Sequence, residues 1–158
     1  MKCLVIYDSM FGNTEKVAHA IGTALQPTNE VGVITVNDYS PADIQGLDML
    51  IVGSPTQSFR PTRQISALLK QFPNSGLNNI KVASFDTRIR IKDVNSAFLA
   101  FMVNIFGYAA QVIAHRLKSK GGDLIIPPEG FYVEDKEGPL FIGELDRAQS
   151  WAKQLILL

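Results

Sequence analysis

The chain is poor in the residues that build several common kinds of site. Among its 158 residues are one cysteine and two histidines. The single thiol, Cys3, excludes an intrachain disulfide framework and a multi-cysteine metal site, and two histidines argue against most histidine-based zinc sites. Fifteen Lys and Arg balance fifteen Asp and Glu, so the formal net charge is zero. This balance predicts no long-range attraction to nucleic acid or to an anionic membrane.

Several glycine and serine signatures are also absent. No two glycines lie two positions apart, no Gly-Lys pair occurs, and no serine has glycine at both −2 and +2. The chain therefore lacks the dinucleotide-binding fingerprint, the P-loop and the nucleophile elbow of serine hydrolases.

Size and composition are typical of one folded domain. Hydrophobic residues make up 46% of the chain and charged residues 19%, which excludes a disordered chain. The length predicts a single domain over residues 1–158. The N-terminal apolar run, residues 3–7, is shorter than the roughly 7–15 residues of a secretory h-region, so we expect a cytoplasmic protein.

Short apolar runs alternate with amphipathic segments along the chain. The predicted strands are Lys2–Tyr7, Val31–Val36, Met49–Val52, Ile80–Phe85 and Leu124–Ile126, the last continuing into Phe131–Val133 after a double proline. The predicted helices are Thr14–Leu25, a helix of one or two turns that starts at Ser40 and stops at Gly46, Thr62–Phe72, Asp93–Ser119 with a break near Gly107, and Gly143–Leu157. This alternation predicts a three-layer, doubly wound α/β fold with a five-stranded parallel sheet of order 2-1-3-4-5.

Residues 97–114 form an uncharged stretch of 18 residues, the lower limit for a membrane-spanning helix. Asn104 and Gln111 interrupt it, so we expect a helix packed on the protein and not a transmembrane segment. The large apolar side chains of 97–106 are predicted to be core by their helical spacing. If exposed, they would mark a dimer interface, a protein partner or a peripheral, lipid-side contact, for example with a quinone. These side chains are Phe98, Phe101, Met102, Ile105 and Phe106.

Three loops follow the carboxyl ends of neighbouring predicted strands: 8–14, 54–63 and 86–92. In a doubly wound sheet, ligands bind where such loops meet. In the first loop, Ser9, Asn13 and Thr14 offer donors at a helix N-terminus, and Gly12 permits a positive φ. The loop is either a phosphate-binding nest or an ordinary helix cap.

Three sequence segments resemble the flavodoxin family. They are V-I-Y-D-S-M-F-G-N-T-E-K-V-A at 5–18, L-I-V-G-S-P-T at 50–56 and G-P-L-F-I-G-E-L-D-R-A-Q-S-W-A at 138–152. The resemblance covers nearly the whole chain, indicates the short-chain form, and implies non-covalent FMN and electron transfer without a catalytic side chain. It assigns the phosphate to Ser9, Met10, Phe11, Gly12, Asn13 and Thr14. It assigns the isoalloxazine to Pro55, Thr56, Gln57, Ser58, Phe59, Arg60, Asp86, Thr87 and Arg88.

The chain departs from the family pattern at the expected flavin site. Phe11 stands where flavodoxins usually have Thr or Ser, which removes a hydroxyl donor. Phe59 is the one aromatic residue in loop 54–63, and loop 86–92 has none, so one face of the ring is either covered by an aliphatic residue such as Ile89 or left open. Loop 54–63 also lacks glycine, so we expect its backbone to resist rotation through positive φ.

The rim of the expected site is basic. Five of the fifteen cationic residues lie in or beside two loops: Arg60, Arg63, Arg88, Arg90 and Lys92. They either pair with local carboxylates or form a cationic mouth for an anionic partner or substrate.

Three functions follow from these observations. The leading one is an FMN-binding electron carrier between redox partner proteins, as a monomer or weak dimer. The second is an FMN-dependent NAD(P)H or quinone oxidoreductase on the same fold. The third is a non-redox module that has lost tight flavin binding.

Overall fold

A parallel β-sheet forms the centre of the protein. The computed structural model describes residues 1–91 and 96–158. The strands are Lys2–Tyr7 (β1), Glu30–Thr35 (β2), Met49–Pro55 (β3), Lys81–Ile89 (β4), Asp123–Leu124 (β5) and Glu129–Val133 (β6). Their order is β2-β1-β3-β4, with β5 and β6 both paired in parallel to β4. The predicted doubly wound α/β fold is confirmed.

The outer edge of the sheet beside β4 is one strand in two pieces. β5 pairs with Lys81 and Val82, and β6 pairs with β4 from Phe85 to Ile89. Pro127 and Pro128 lie in the gap between the two pieces. Because proline has no backbone N–H to donate to a neighbouring strand, the pairing is interrupted there. The two pieces occupy the fifth position of the predicted order.

The described residues form five α-helices around the sheet. They are Asn13–Leu25 (α1), Arg63–Gln71 (α2), Ala97–Phe106 (α3), Ala109–Ser119 (α4) and Glu144–Leu155 (α5). Alternate side chains of β1 point to opposite faces. Cys3, Val5 and Tyr7 join α1 and α5 in one core, and Leu4 and Ile6 join α2 and α4 in the other.

A salt bridge ties α5 to β6. Glu144 accepts hydrogen bonds from the Tyr132 backbone N–H at 2.7 Å and from Arg147 Nε at 2.9 Å. Arg147 also contacts Glu129 at 3.1 Å and lies 4.6 Å from the centroid of the Phe131 ring.

The predicted helix Asp93–Ser119 is divided at Gly107, which has φ +69°; its residues 93–95 lie outside the described part. Ala97–Ser119 is the one described stretch long and apolar enough, by length and composition, to cross a membrane. The α4 half is nonetheless core, since Ala109, Ala110 and Ile113 are fully buried.

The prediction that the apolar side chains of α3 belong to the core is wrong. No residue of α3 is buried, and Phe98, Phe101 and Ile105 are 68%, 59% and 57% exposed. The physical reason is that α2 and α4 already cover that face of the sheet, so no apolar surface is left for α3 to bury. Helical spacing alone cannot reveal this, because α3 is apolar on almost every side.

Candidate functional site

A cavity of about 500 Å³ lies where the loops after β1, β3 and β4 meet. Eleven of the fifteen predicted site residues line it: Ser9, Met10, Phe11, Asn13, Thr14, Pro55, Thr56, Gln57, Ser58, Thr87 and Arg88. Ile89, suggested above as an aliphatic cover, lines it too. Four predicted residues lie outside its wall: Gly12, Phe59, Arg60 and Asp86.

The first loop offers free backbone donors to this cavity. Gly12 has φ +87° and precedes α1, and its N–H donates to Ser9 Oγ at 3.1 Å. Within the described ranges, four N–H groups of the loop and the first turn of α1 have no protein acceptor: Met10, Phe11, Asn13 and Thr14. Unpaired donors at a helix N-terminus attract an anion, because they add to the positive end of the helix dipole. The loop therefore fits a phosphate.

Two side chains hold this loop in place. Thr14 is 1% exposed, and its Oγ1 lies 2.8 Å from Thr87 Oγ1 on β4. The Asn13 amide donates to the Glu137 carbonyl at 3.0 Å. Gly138, at φ +107°, lies so close that a Cβ there would be 2.7 Å from Asn13 Nδ2. The loop is thus fixed from both sides before any ligand binds, which lowers the cost of binding.

The cavity wall includes two residues that sequence reasoning missed. Val133 ends β6, and Lys136 lies in the loop that follows it. Lys136 stands among acidic neighbours in E-D-K-E, a pattern that gives no signal of a ligand. It could have been found only from the sheet topology, since β6 lies beside β4 and carries the next loop to the same edge.

The second loop makes a tight two-residue hairpin. Gln57 and Arg60 exchange backbone hydrogen bonds of 2.8 and 2.9 Å, and between them Ser58 and Phe59 have φ of +45° and +69°. Such turns favour Asn-Gly, because both positions need positive φ. Ser58 and Phe59 adopt these angles although neither is glycine, so each carries roughly 1–2 kcal/mol of strain, and the expectation that this backbone resists rotation stays a prediction.

Phe59 points away from the cavity. Its ring centroid lies 6.1 Å from that of Phe106 on α3. Phe59, Arg60, Met102, Phe106 and Val112 line a separate groove of about 460 Å³, which adjoins the cavity at Ser58.

Asp86 serves the fold and not the cavity wall. Its carboxylate is fully buried and accepts from Arg88 Nε at 2.6 Å, from Arg88 Nη2 at 2.8 Å and from the Ala110 backbone N–H at 2.8 Å. Burial raises the pKa of Asp86, against the opposing effect of Arg88 and Ala110. Thr56 Oγ1 accepts the neighbouring Ala109 N–H at 3.0 Å. Two predicted site residues thus cap α4.

Two cations of the basic rim, Arg88 and Arg90, are engaged by their surroundings. Arg88 is paired with Asp86, and its guanidinium lies 3.6 Å from the centroid of the Tyr108 ring. Arg90 lies 3.9 Å from the centroid of the Phe141 ring. Of the two alternatives given above, pairing with a local carboxylate holds for Arg88. Lys92 lies outside the described residues. Among the described residues, no three His, Cys, Asp or Glu side chains are grouped to hold a metal.

Comparisons with known proteins agree with this architecture. The chain is similar to oxidised Flavodoxin 1 from Bacillus cereus, with 17% identity, a TM-score of 0.78 and coverage of 99% of this chain and 98% of the other. It is similar to a flavodoxin from the domain Archaea, with 19% identity, a TM-score of 0.77 and coverage of 98% and 96%.

A larger enzyme contains the same fold. Rubredoxin oxygen:oxidoreductase from Desulfovibrio gigas matches with 19% identity and a TM-score of 0.73, over 98% of this chain and 35% of that one. No curated protein matches the sequence. At these identities the structures establish the fold alone. A sequence model of the flavodoxin family, however, matches residues 5–151, and the chain therefore belongs to the flavodoxin family.

Proposed function

We propose that this protein binds FMN non-covalently in the cavity and carries electrons between redox partners. The observation that carries the proposal is the group of four unpaired backbone N–H donors at the start of α1. The cavity volume of about 500 Å³ is ordinary for a cofactor site. When bound, FMN would supply the redox chemistry.

The phosphate end of the site is built from backbone. The N–H groups of Met10, Phe11, Asn13 and Thr14 would bind phosphate oxygens, and the Ser9 hydroxyl can donate a further hydrogen bond. Lys136 lines the same cavity and adds a cation to its wall. Because Thr87 and Glu137 already fix the loop, little order is lost when the anion binds.

The ring end is mainly aliphatic and polar. Pro55, Thr56 and Gln57 line the cavity from the end of β3 and the second loop, and Ile89 and Val133 line it from the ends of β4 and β6. In the described chain, neither the second nor the third loop contributes an aromatic side chain to the cavity wall. The ring would therefore be held by edge contacts and aliphatic packing, with weaker stacking than aromatic side chains supply.

The guanidinium of Arg88 affects the charge that a ligand in this cavity can carry. Arg88 lines the cavity while Asp86 and Tyr108 hold its guanidinium. A fixed cation favours negative charge on a neighbouring ligand, although its pairing with Asp86 reduces the effect. The same arrangement favours a reduction potential above that of a site surrounded by carboxylates.

The direct test is titration of FMN into the protein, followed by flavin fluorescence. We expect saturable one-to-one binding in the micromolar range or tighter. Riboflavin, which lacks the phosphate, is the matched control and should bind much more weakly, because the loop donors would have no anion to bind. No saturable FMN binding would refute the proposal and favour a module that has lost flavin.

A second candidate is an FMN-dependent NAD(P)H or quinone oxidoreductase. The observation that favours it is the apolar groove beside Phe59 and Phe106, which adjoins the cavity at Ser58 and offers an apolar substrate a place next to the ring. Turnover of NAD(P)H with a quinone by the isolated FMN-loaded protein would support the enzyme. Its absence, with FMN bound, would leave the carrier.

A further inference from the structure

Zero net charge conceals a strong separation of charge along the chain. Residues 49–122 contain ten of the fifteen Lys and Arg but two of the fifteen Asp and Glu. The remaining residues contain five cations and thirteen acids. Formal charge is therefore +8 in the first set and −8 in the second. The first set includes α2, α3 and α4, so one helical layer is basic.

The cations of this layer line a groove between α2 and α4. Arg60, Lys70, Arg116 and Lys120 border a cavity of about 500 Å³ that no carboxylate lines in the described chain. Lys120 Nζ lies 3.4 Å from Asn74 Oδ1. Within the described residues, the other three make no ion pair. Unneutralised cations facing one groove create a site for anionic groups.

The exposed helix α3 borders the same surface. It has ten residues and no charge, and the side chains of Phe98, Phe101 and Ile105 lie on one stripe at i, i+3 and i+7. At about 15 Å in length, it is far too short to span a bilayer core of about 30 Å. An uncharged helix whose apolar face is exposed in this way needs a cover.

The apolar helix and the basic groove form one continuous surface. Arg60 and Val112 line the basic groove, and the same two residues line the apolar groove with Met102 and Phe106 of α3. We call this the α3–basic surface. It reaches the mouth of the candidate flavin cavity through Ser58, which lines both the cavity and the apolar groove.

We propose that the α3–basic surface docks on an anionic lipid bilayer. In this arrangement α3 lies in the plane of the membrane, with Phe98 and Phe101 in the boundary between headgroups and acyl chains. Arg60, Lys70 and Arg116 contact lipid phosphates. Stable peripheral binding takes two signals, an apolar insertion and a basic patch, and this surface carries both side by side.

Charge decides between this occupant and a second copy of the chain. Two copies meeting through the same surface would bring two unneutralised basic grooves together, which is unfavourable. Protruding phenylalanines are also accommodated by fluid lipid without a matching pocket. The proposal does not rest on FMN binding, because none of the four groove cations lines the candidate flavin cavity.

The test is co-sedimentation of the full chain, without FMN, with two kinds of vesicle. One is phosphatidylcholine alone, and the other contains phosphatidylglycerol as well. We expect binding to the anionic vesicles only, weakened by added salt. The double variant Phe98→Ser/Phe101→Ser should lower partitioning about tenfold or more. Lys70→Gln and Arg116→Gln should each lower it about fivefold.

Matched controls lie on the other side of the sheet. Leu157→Ser removes an exposed apolar side chain after α5, and Lys153→Gln removes an exposed cation from α5. Both should bind vesicles as the unmodified chain does, and circular dichroism should report the same fold for all variants.

Several results would overturn the proposal. They are no sedimentation with anionic vesicles, equal binding to phosphatidylcholine alone, and equal losses in test and control variants. A dimer seen by light scattering that the phenylalanine variants dissociate, together with no vesicle binding, would assign the surface to a second copy. An acidic protein bound through Lys70 and Arg116, with no vesicle binding, would assign it to a protein partner.

Discussion

Phe11 offers the sharpest test of the phosphate site. It lies in the middle of the loop that has the free N–H groups, and it is one of the residues that line the cavity. Flavodoxins usually carry a hydroxyl residue there. Phe11→Thr would restore the hydroxyl donor. The ring is 45% exposed, so its removal should alter the free energy of unfolding little.

The expected gain follows from one hydrogen bond to a charged group. Such a bond contributes about 1.5–3 kcal/mol, which corresponds to roughly 10- to 160-fold in Kd. Removal of the ring also changes packing, so a control of equal shape is needed. Phe11→Val matches threonine in shape but has no hydroxyl, and the ratio of the two dissociation constants isolates the bond.

The assay is FMN titration of both variants under the same conditions. We expect Phe11→Thr to bind FMN at least about tenfold more tightly than Phe11→Val, with no such difference for riboflavin. Equal FMN affinities would refute the reasoning, because they would mean that residue 11 does not face the phosphate. An equal gain with riboflavin would assign the hydroxyl to another part of the ligand.

Three further predictions concern the scaffold of the site. Gly138→Ala would place a Cβ 2.7 Å from Asn13 Nδ2 at φ +107°, so urea denaturation should show about 1–2 kcal/mol lost, with weaker FMN binding. Ser58→Gly should stabilise the hairpin by about 0.5–1 kcal/mol, and an unchanged melting temperature would argue against strain at φ +45°. Burial raises the pKa of Glu144, but Arg147 and a backbone N–H outweigh it and lower the pKa from 4.5, so Glu144 stabilises the fold above that pH and loses its effect as pH falls through the lowered pKa. Glu144→Gln should therefore cost about 1–2 kcal/mol at neutral pH and little in acid, and an equal loss at both would contradict the ionic role.

Much of the architecture could be predicted from local pattern. Buried parallel strands are short apolar runs, so β1 and β3 stand out in the sequence. The loops after β1, β3 and β4 meet at one edge of the sheet because these strands are parallel neighbours. The place of Thr14 and Thr87 on this edge was therefore predictable, although their direct hydrogen bond was not.

The features that sequence patterns did not predict depend on contacts between distant parts of the chain. Spacing predicted α3 to be core, but the sheet face was already filled by α2 and α4. The resemblance assigned Asp86 to the ring, which stays a prediction, but gave no sign that its carboxylate binds Arg88 and caps α4. Lys136 went unnoticed because its loop reaches the cavity only through the pairing of β6 with β4. The formal net charge of zero likewise gives no sign that the cations and the acids lie in different parts of the chain.

The broken edge strand has a consequence for assembly. A continuous exposed edge presents a row of unpaired N–H and C=O groups on which another chain can form a strand. Here β5 offers two residues, Pro127 and Pro128 lack N–H donors, and β6 resumes at Glu129. An incoming strand would meet a template too short and interrupted to hold a register. The sheet is therefore protected on this side against extension into larger aggregates, which leaves β2 as the edge where such growth would begin.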